Sequence, residues 1–207
     1  MGNAMTSPEG ETSTRRRLLD VALGLFARHG FAGTSIRMVA RGAELRESSI
    51  YNHFAGKEAL YEAVIEQWGP AEFVERLKSA EYRALSDDPA AFFRLCGRHL
   101  VQRWGDPREH LFFELINKEG PTGSGRRRFH EALYHEEIAV LATYITGFSE
   151  RCGLIAPSPQ QTAMMFAAGL VHIRLEYFQS NIDLPDQALV QDAVDRFIDN
   201  FLATVIR

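Results

Sequence analysis

Basic side chains are concentrated near the N-terminus of this chain of 207 residues. Residues 12–57 contain eight Lys or Arg residues and three acidic ones, whereas the remainder contains 15 basic and 24 acidic residues. Ammonium and guanidinium groups gathered in one segment attract a polyanion, such as the phosphate backbone of a nucleic acid. The charge distribution therefore predicts a polyanion partner for this segment alone. The net charge of −4 argues against a protein that coats nucleic acid over its whole surface.

The segment 34–54 has the spacing of two short helices joined by a tight turn, a helix-turn-helix. In such a unit the first helix braces the second, and the second can enter the major groove of DNA, about 12 Å wide. Six apolar residues would hold the unit against the preceding helix. They are Ile36, Val39, Ala40, Leu45, Ile50 and Phe54.

Helical periodicity dominates the chain, and strand-like alternation is nowhere sustained. A first helix is predicted from the Arg15–Arg17 run to Gly30, a second with Thr34 as its cap, a third from near Arg46 to about His53, and a fourth that stops at Gly69. Pro and Gly residues then delimit helices over about 71–85, 89–104, 108–118, 126–151, 157–180 and 186–205.

The predicted fold is therefore all-α, with four regions along the chain. Residues 1–10 are interpreted as a disordered or cloning-derived tail, with Met5 as the natural start, although residues 1–6 also fit a myristoylation pattern. The helix-turn-helix domain spans 11–56, a connecting helix spans 57–69, and a larger helical body spans 70–207.

Several classes of protein are excluded by composition. The longest apolar run has nine residues, too short for a membrane-spanning helix, and the N-terminus carries no secretory signal pattern. Cys96 and Cys152 lie in no CxxC pair, so a reducing compartment such as the cytoplasm is expected. The usual catalytic and metal-binding motifs do not occur, so neither an enzyme nor a cofactor or metal site is predicted.

The sequence resembles the TetR family of bacterial transcriptional regulators over about residues 14–68. The matching elements are Leu18–Ala22 with Phe26 and Gly30, Thr34–Ala40, Ser49–Phe54, and Lys57–Leu60. The combination of Tyr-x-His-Phe with a Lys three residues later is highly specific. The resemblance implies a homodimer with a DNA-reading head and a ligand-binding, dimerising body, in which the ligand releases the DNA.

The resemblance also assigns roles within the head. Tyr51 and His53 look like the family's pair of backbone contacts. Thr34 and Lys57 are expected to bind phosphates, Thr34 through its hydroxyl at a helix start and Lys57 by its charge. The remaining predicted DNA contacts are Arg46, Ser48, Ser49 and Asn52.

The chain departs from the family pattern at the turn. Glu44 occupies a position where Gly is usual, and a residue with a Cβ at positive φ costs about 1 kcal/mol or more. Arg46 occupies the position of a Ser or Thr cap, and its side chain has no oxygen to accept the capping hydrogen bond. Glu47 either weakens phosphate binding or specifies a base, since Glu can accept from cytosine.

The body is predicted to bind a small apolar or aromatic effector, with Phe113, Asn117 and His172 as candidate pocket residues. Its last two helices are the expected dimer interface, where Ala163, Ala167, Ala168 and Gly169 allow close approach, and a two-fold dimer predicts a palindromic operator. The function predicted is a ligand-responsive, DNA-binding regulator, with repression as the expected mode. Two alternatives remain open: a degenerate head on a small-molecule or protein-binding module, and an all-α enzyme.

Overall fold

The computed structural model describes residues 8–119, 123–179 and 185–206, which are helical apart from short connections and contain no β-strand. The helices are α1 (Pro8–Gly33), α2 (Ile36–Gly42), α3 (Glu47–Tyr51), α4 (Lys57–Trp68), α5 (Ala71–Leu77), α6 (Ala80–Arg83), α7 (Pro89–Trp104), α8 (Pro107–Lys118), α9 (Ser124–Glu131), α10 (Glu137–Cys152), α11 (Pro159–Arg174) and α12 (Gln187–Val205). Two π-helical segments, Ala132–Glu136 and Leu175–Gln179, follow α9 and α11. The all-α prediction is confirmed.

Local signals explain where most helices begin and end. Asp88 accepts a hydrogen bond from the Ala91 amide at 2.9 Å, and Pro89 occupies the first turn of α7. A glycine marks the C-terminal end of α10, where Gly153 adopts the left-handed conformation with a φ of 69°. The predicted break at Gly30 is present, with a φ of 72° inside α1.

Two predicted helix starts were wrong. α1 begins at Pro8, a residue favoured in a first helical turn, so the predicted tail over 1–10 overlaps the helix, and residues 1–7 lie outside the described part. The cap of α2 is Ser35 and not Thr34, because the Ser35 hydroxyl accepts from the Met38 amide at 3.2 Å.

The helices divide into two compact units that differ from the predicted boundary at residue 70. The N-terminal unit comprises the chain up to Gly69 together with His110–Phe129, and the second unit comprises Pro70–Glu109 and the chain from His130 onward. The part of α8 from His110 onward joins the N-terminal unit, because Phe112, Leu115 and Ile116 are buried in the same core as the head helices.

Aromatic residues fill the core of the second unit. Phe92, Phe93 and Phe148 pack against one another in edge-to-face or tilted pairs, and the ring of Phe93 lies 4.7 Å from that of Phe166. These four side chains are at most 1% exposed. Most of the aromatic residues of the second unit therefore lie in its buried core. Among the described residues, no helix is both long and apolar enough to cross a membrane.

Candidate nucleic-acid interface

Helix α3 presents a polar face to solvent while one apolar side chain anchors it. Ile50 is fully buried in the core formed with α1 and α4, whereas Tyr51 is 58% exposed. Ser48 and Asn52 are exposed, and Ser49 and His53 are half-buried. The predicted contacts in α3 and in the two residues after it are thus at least partly accessible to solvent, while Ile50 anchors the helix in the core.

Thr34 is placed differently from its predicted role. Its side chain is buried, and the hydroxyl lies 2.9 Å from the Gly30 carbonyl oxygen and 3.2 Å from that of Leu25. This hydroxyl satisfies carbonyl groups where α1 breaks, so it is not directed toward a phosphate. The neighbouring Ser35 is exposed and is the hydroxyl that this helix start offers to solvent.

The turn between α2 and α3 has the strain that its sequence predicts. Glu44 is the one non-glycine residue with positive φ among the described residues, at 55°. Arg46 occupies the N-cap of α3 and its side chain makes no capping hydrogen bond. Both side chains are exposed, so this turn presents one carboxylate and one guanidinium to the surroundings.

Lys57 and Arg15 are both engaged by the head itself. The Lys57 ammonium donates to the Phe31 carbonyl oxygen at 3.0 Å and lies 4.2 Å from the centre of the Phe31 ring. The guanidinium of Arg15 lies 5.2 Å from the centre of the Phe54 ring. Since cations stack favourably on aromatic faces, both groups hold the head together besides contributing positive charge.

Sequence reasoning missed the contribution of α2 to the charged surface. Arg37 and Arg41 are exposed on this helix, and Arg37 lies 3.9 Å from the Glu47 carboxylate. In the sequence these two arginines contribute only to the total positive charge of residues 12–57. Their spacing of four residues, which places them on one helix face, was the signal that could have identified them.

The three candidate effector residues differ in exposure and are divided between the two units. Phe113 is half-buried, with its ring 5.4 Å from that of Phe129, and Asn117 is exposed on α8. His172 is exposed on α11, in the other unit. The sequence pattern did not predict this exposure, because a polar residue next to an apolar run lies on the exposed side of an amphipathic helix as readily as on its buried side.

A cleft of about 250 Å³ lies within the N-terminal unit, between α4 and the start of α9. It is lined by Tyr61, Glu62, Ile65, Glu66, Ser124, Gly125 and Arg128. None of the predicted effector residues contributes to it. Among the described residues, no group of side chains has the composition and proximity of a metal site.

Buried charges are concentrated in the second unit. Glu109 is 4% exposed, and its carboxylate accepts from Arg103 at 3.0 Å and lies 4.0 Å from Arg174. Burial lowers the pKa of the Arg174 guanidinium to about 10, against the opposing effect of Glu109. Glu137 is 7% exposed, and burial raises the pKa of its carboxyl to about 7, while the charge of Arg103 opposes the rise.

Fold and exposed surface together define an all-α protein with a helix-turn-helix head. The family model described as "Bacterial regulatory proteins, tetR family" matches residues 18–64, which span α1 through most of α4. Residues 18–64 therefore form a helix-turn-helix domain of the TetR family.

Curated relatives match more of the sequence than the head alone. The HTH-type transcriptional regulator AcrR of Shigella flexneri is 29% identical over 130 residues, covering 62% of this chain and 54% of its own. The HTH-type transcriptional repressor KstR2 of Mycobacterium tuberculosis is 34% identical over 122 residues, covering 58% of each. The chain thus spans a little over half the length of these curated relatives.

The fold has counterparts among solved structures. The complex of SmeT with triclosan superposes with a TM-score of 0.70 at 19% identity, covering 94% of this chain and 92% of that one. SmeT is described as the repressor of a multidrug efflux pump of Stenotrophomonas maltophilia. At this identity the likeness establishes the fold.

Proposed function

We propose that this protein is a ligand-responsive transcriptional regulator that binds a palindromic DNA operator as a homodimer and represses transcription until an effector releases it. The observation that carries the proposal is the polar face of α3, where Ser48, Tyr51 and Asn52 are accessible above the buried Ile50. A regulator of this kind acts on chromosomal DNA, so the cytoplasm is the proposed compartment.

Within the head, we assign phosphate contacts to groups that the fold leaves accessible. Tyr51 offers a phenol and Ser35 a hydroxyl, while Arg37, Arg41 and Arg46 supply positive charge. His53 remains a proposed backbone contact beside Tyr51. Ser48, Ser49 and Asn52 are the proposed base-reading side chains, because hydroxyl and amide groups can pair with base edges in the major groove.

The proposed dimer interface lies on α11 and its π-helical extension. Met164 and Met165 are 54% and 63% exposed, and Leu175 is 40% exposed. The exposed Ala168 and His172 continue this surface, whereas Gly169 faces inward, where an added Cβ would approach the Phe197 ring of α12 within 2.2 Å. An exposed apolar stripe beside small residues suits an isologous contact between two copies.

The proposed effector is a small apolar or aromatic molecule. The structure of SmeT, which shares the fold, has been solved with triclosan bound. That complex supports an apolar or aromatic class of effector for this protein, but it does not identify triclosan as the effector. We propose that effector binding moves α4, which begins at the head with Lys57 and ends at Trp68. Such a movement would alter the spacing of the two recognition helices in the dimer.

Selection from a pool of random duplexes, followed by titration of the enriched duplex at two salt concentrations, tests the proposal. We expect a palindrome whose affinity falls steeply with salt, because each neutralised phosphate releases counterions. A variant with Tyr51→Phe and Asn52→Ala should enrich no palindrome while remaining folded and dimeric. Wild-type protein that is folded and dimeric but enriches no sequence would contradict DNA reading.

The second candidate is a helical small-molecule or protein-binding module whose head no longer reads DNA. The exposed carboxylates of Glu44 and Glu47 and the uncapped α3 favour it. The variant Glu47→Lys separates the two functions. If a duplex is enriched only by this variant, the carboxylate has suppressed DNA binding in the natural chain.

A further inference from the structure

Lys118, the last residue of α8, and Glu119, which follows it, contact three other elements of the N-terminal unit. Lys118 donates to the carbonyl oxygens of Ala27 and Arg28 in α1, the latter at 3.2 Å. The carboxylate of Glu119 accepts from the Tyr61 hydroxyl of α4 and from the Arg126 amide of α9, the latter at 2.6 Å. These contacts join residues as much as 91 positions apart in the chain.

The Lys118 contact lies close to the point where α1 departs from helical geometry. Gly30, with φ 72° and ψ 172°, follows the two carbonyl groups that Lys118 contacts by three and two residues. An ammonium group beside such carbonyls is also favoured by the helix dipole. Lys118 therefore fixes the end of the main segment of α1, against which the helix-turn-helix packs.

The Glu119 contact fixes α4 in a similar way. Its two carboxylate oxygens hold different elements: Oε1 accepts from Tyr61, and Oε2 accepts from the first turn of α9. Burial and the bond to Glu119 raise the pKa of the Tyr61 phenol, so Tyr61 remains the donor at neutral pH. Gly125 permits this approach, because a Cβ there would lie 2.8 Å from the Tyr61 oxygen and from Ile65 Cδ1.

We propose that Lys118 and Glu119 form a latch that positions α1 and α4 of the head for DNA binding. Neither residue lies on the DNA-reading face of α3, so both act through the helices that they hold. The latch also borders the cleft between α4 and α9, which Tyr61 lines. A change in the latch would reach the recognition helix through α1 and α4, which share a buried core with Ile50. This inference rests on the proposed DNA-binding function.

Four variants test the latch. Glu119→Gln keeps the size of the side chain but removes its negative charge, so both hydrogen bonds lose the ionised acceptor that strengthens them. Lys118→Met removes the ammonium group and retains an unbranched stem, whereas Lys118→Arg restores a donor. Glu114→Gln makes the same chemical change as Glu119→Gln at an exposed position of α8 and serves as the matched control.

The readout is affinity for the duplex enriched by the wild type, measured where circular dichroism shows each variant to be fully folded. We expect Glu119→Gln and Lys118→Met each to weaken binding about fivefold or more, a size typical of coupling between distant sites. Lys118→Arg should restore most of the loss, and Glu114→Gln should bind as the wild type does. A fall in thermal stability with unchanged affinity of the folded protein would overturn the latch.

Amide hydrogen exchange without DNA separates this inference from the proposed function. We expect faster exchange in the last turns of α1 before Gly30 and in the first turns of α4 in both latch variants, relative to Glu114→Gln. If the wild type enriches no duplex, DNA reading fails while the exchange data still decide whether the latch holds the head. If a duplex is enriched and the latch variants match the control in affinity and exchange, the latch fails alone.

Discussion

The ammonium group of Lys57 donates to the carbonyl oxygen of Phe31 at 3.0 Å and lies 4.2 Å from the centre of the same residue's ring. Lys57, which the sequence predicts to bind a phosphate, thus connects α4 to the end of α1 through these two contacts. Lys57→Met should lower the free energy of unfolding by about 1–3 kcal/mol, because a charged hydrogen bond and a cation–π contact are both lost.

Urea denaturation of Lys57→Met beside Lys78→Met measures this loss. The side chain of Lys78 pairs only with the exposed Glu75, at 2.7 Å, among the interactions described, and its replacement should change stability by no more than about 0.5 kcal/mol. Equal stability of the two variants would show that the Lys57 contacts contribute nothing to the fold.

Glu44 should be replaceable with a gain in stability. At a φ of 55° its Cβ is strained, and Glu44→Gly should raise the free energy of unfolding by about 0.5–1 kcal/mol after the entropy of glycine is subtracted. The control is Glu81→Gly in α6, where the same exchange enters a helix and should destabilise by about 1 kcal/mol. Chemical denaturation that gives both variants the same sign would refute the strain.

The strained turn illustrates how much of the head could be predicted from sequence. Gly and Pro influence only the backbone near them. Sequence reasoning could therefore predict where α4 and α7 begin and end, and that the turn at Glu44 is strained, from residues only a few positions away. Thr34 and Ser35 show the limit of such reasoning. Both can cap a helix, and the tertiary contact of the Thr34 hydroxyl with Leu25 decided between them.

Features that depend on distant residues were not predictable. The membership of α8 in the N-terminal unit follows from the burial of Phe112 and Ile116 against the head core, and no spacing within α8 identifies that partner. The exposure of Asn117 and His172 was not predictable for a related reason. Periodicity identifies the faces of a helix, but the surrounding helices decide which face is covered.

Positive charge around α3 should appear in the salt dependence of DNA binding. Arg46→Gln removes one exposed cation and should reduce the slope of log affinity against log salt concentration by about 0.9 if it neutralises one phosphate. Tyr51→Phe removes a hydroxyl without removing charge, so affinity should fall while the slope is unchanged. Fluorescence anisotropy at several salt concentrations distinguishes the two variants. An unchanged slope for Arg46→Gln would show that Arg46 does not contact a phosphate.

Glu137 should make the stability of the protein depend on pH. Burial raises the pKa of its carboxyl from 4.5 to about 7, so between these values the folded chain retains a proton that the unfolded chain releases. Stability from this group is therefore fully present below about pH 4.5 and is lost as pH rises toward 7. The loss between about pH 5 and pH 8 is about 2–3 kcal/mol.

Glu137→Gln tests this assignment, because its amide cannot ionise. The variant should be more stable than the wild type at about pH 8 and should lack most of the decline, whereas Glu136→Gln at the exposed neighbouring position should keep it. Urea denaturation at both pH values and one protein concentration gives the comparison. An unchanged decline in Glu137→Gln would assign the pH dependence to another group.

Self-association should depend on the exposed apolar stripe of α11. Met165 is 63% exposed in the single chain, and burying a side chain of this size against a partner contributes about 1.5–3 kcal/mol. Met165→Glu would place a carboxylate in the proposed interface twice, once from each copy, and should raise the dimer dissociation constant at least about tenfold.

Tyr134→Glu changes a side chain of comparable exposure, 56%, on a different helical segment, and should leave the dissociation constant unaltered. Sedimentation equilibrium of the two variants separates the surfaces, and a monomer produced by Tyr134→Glu alone would move the interface from α11 to the π-helical segment that precedes α10.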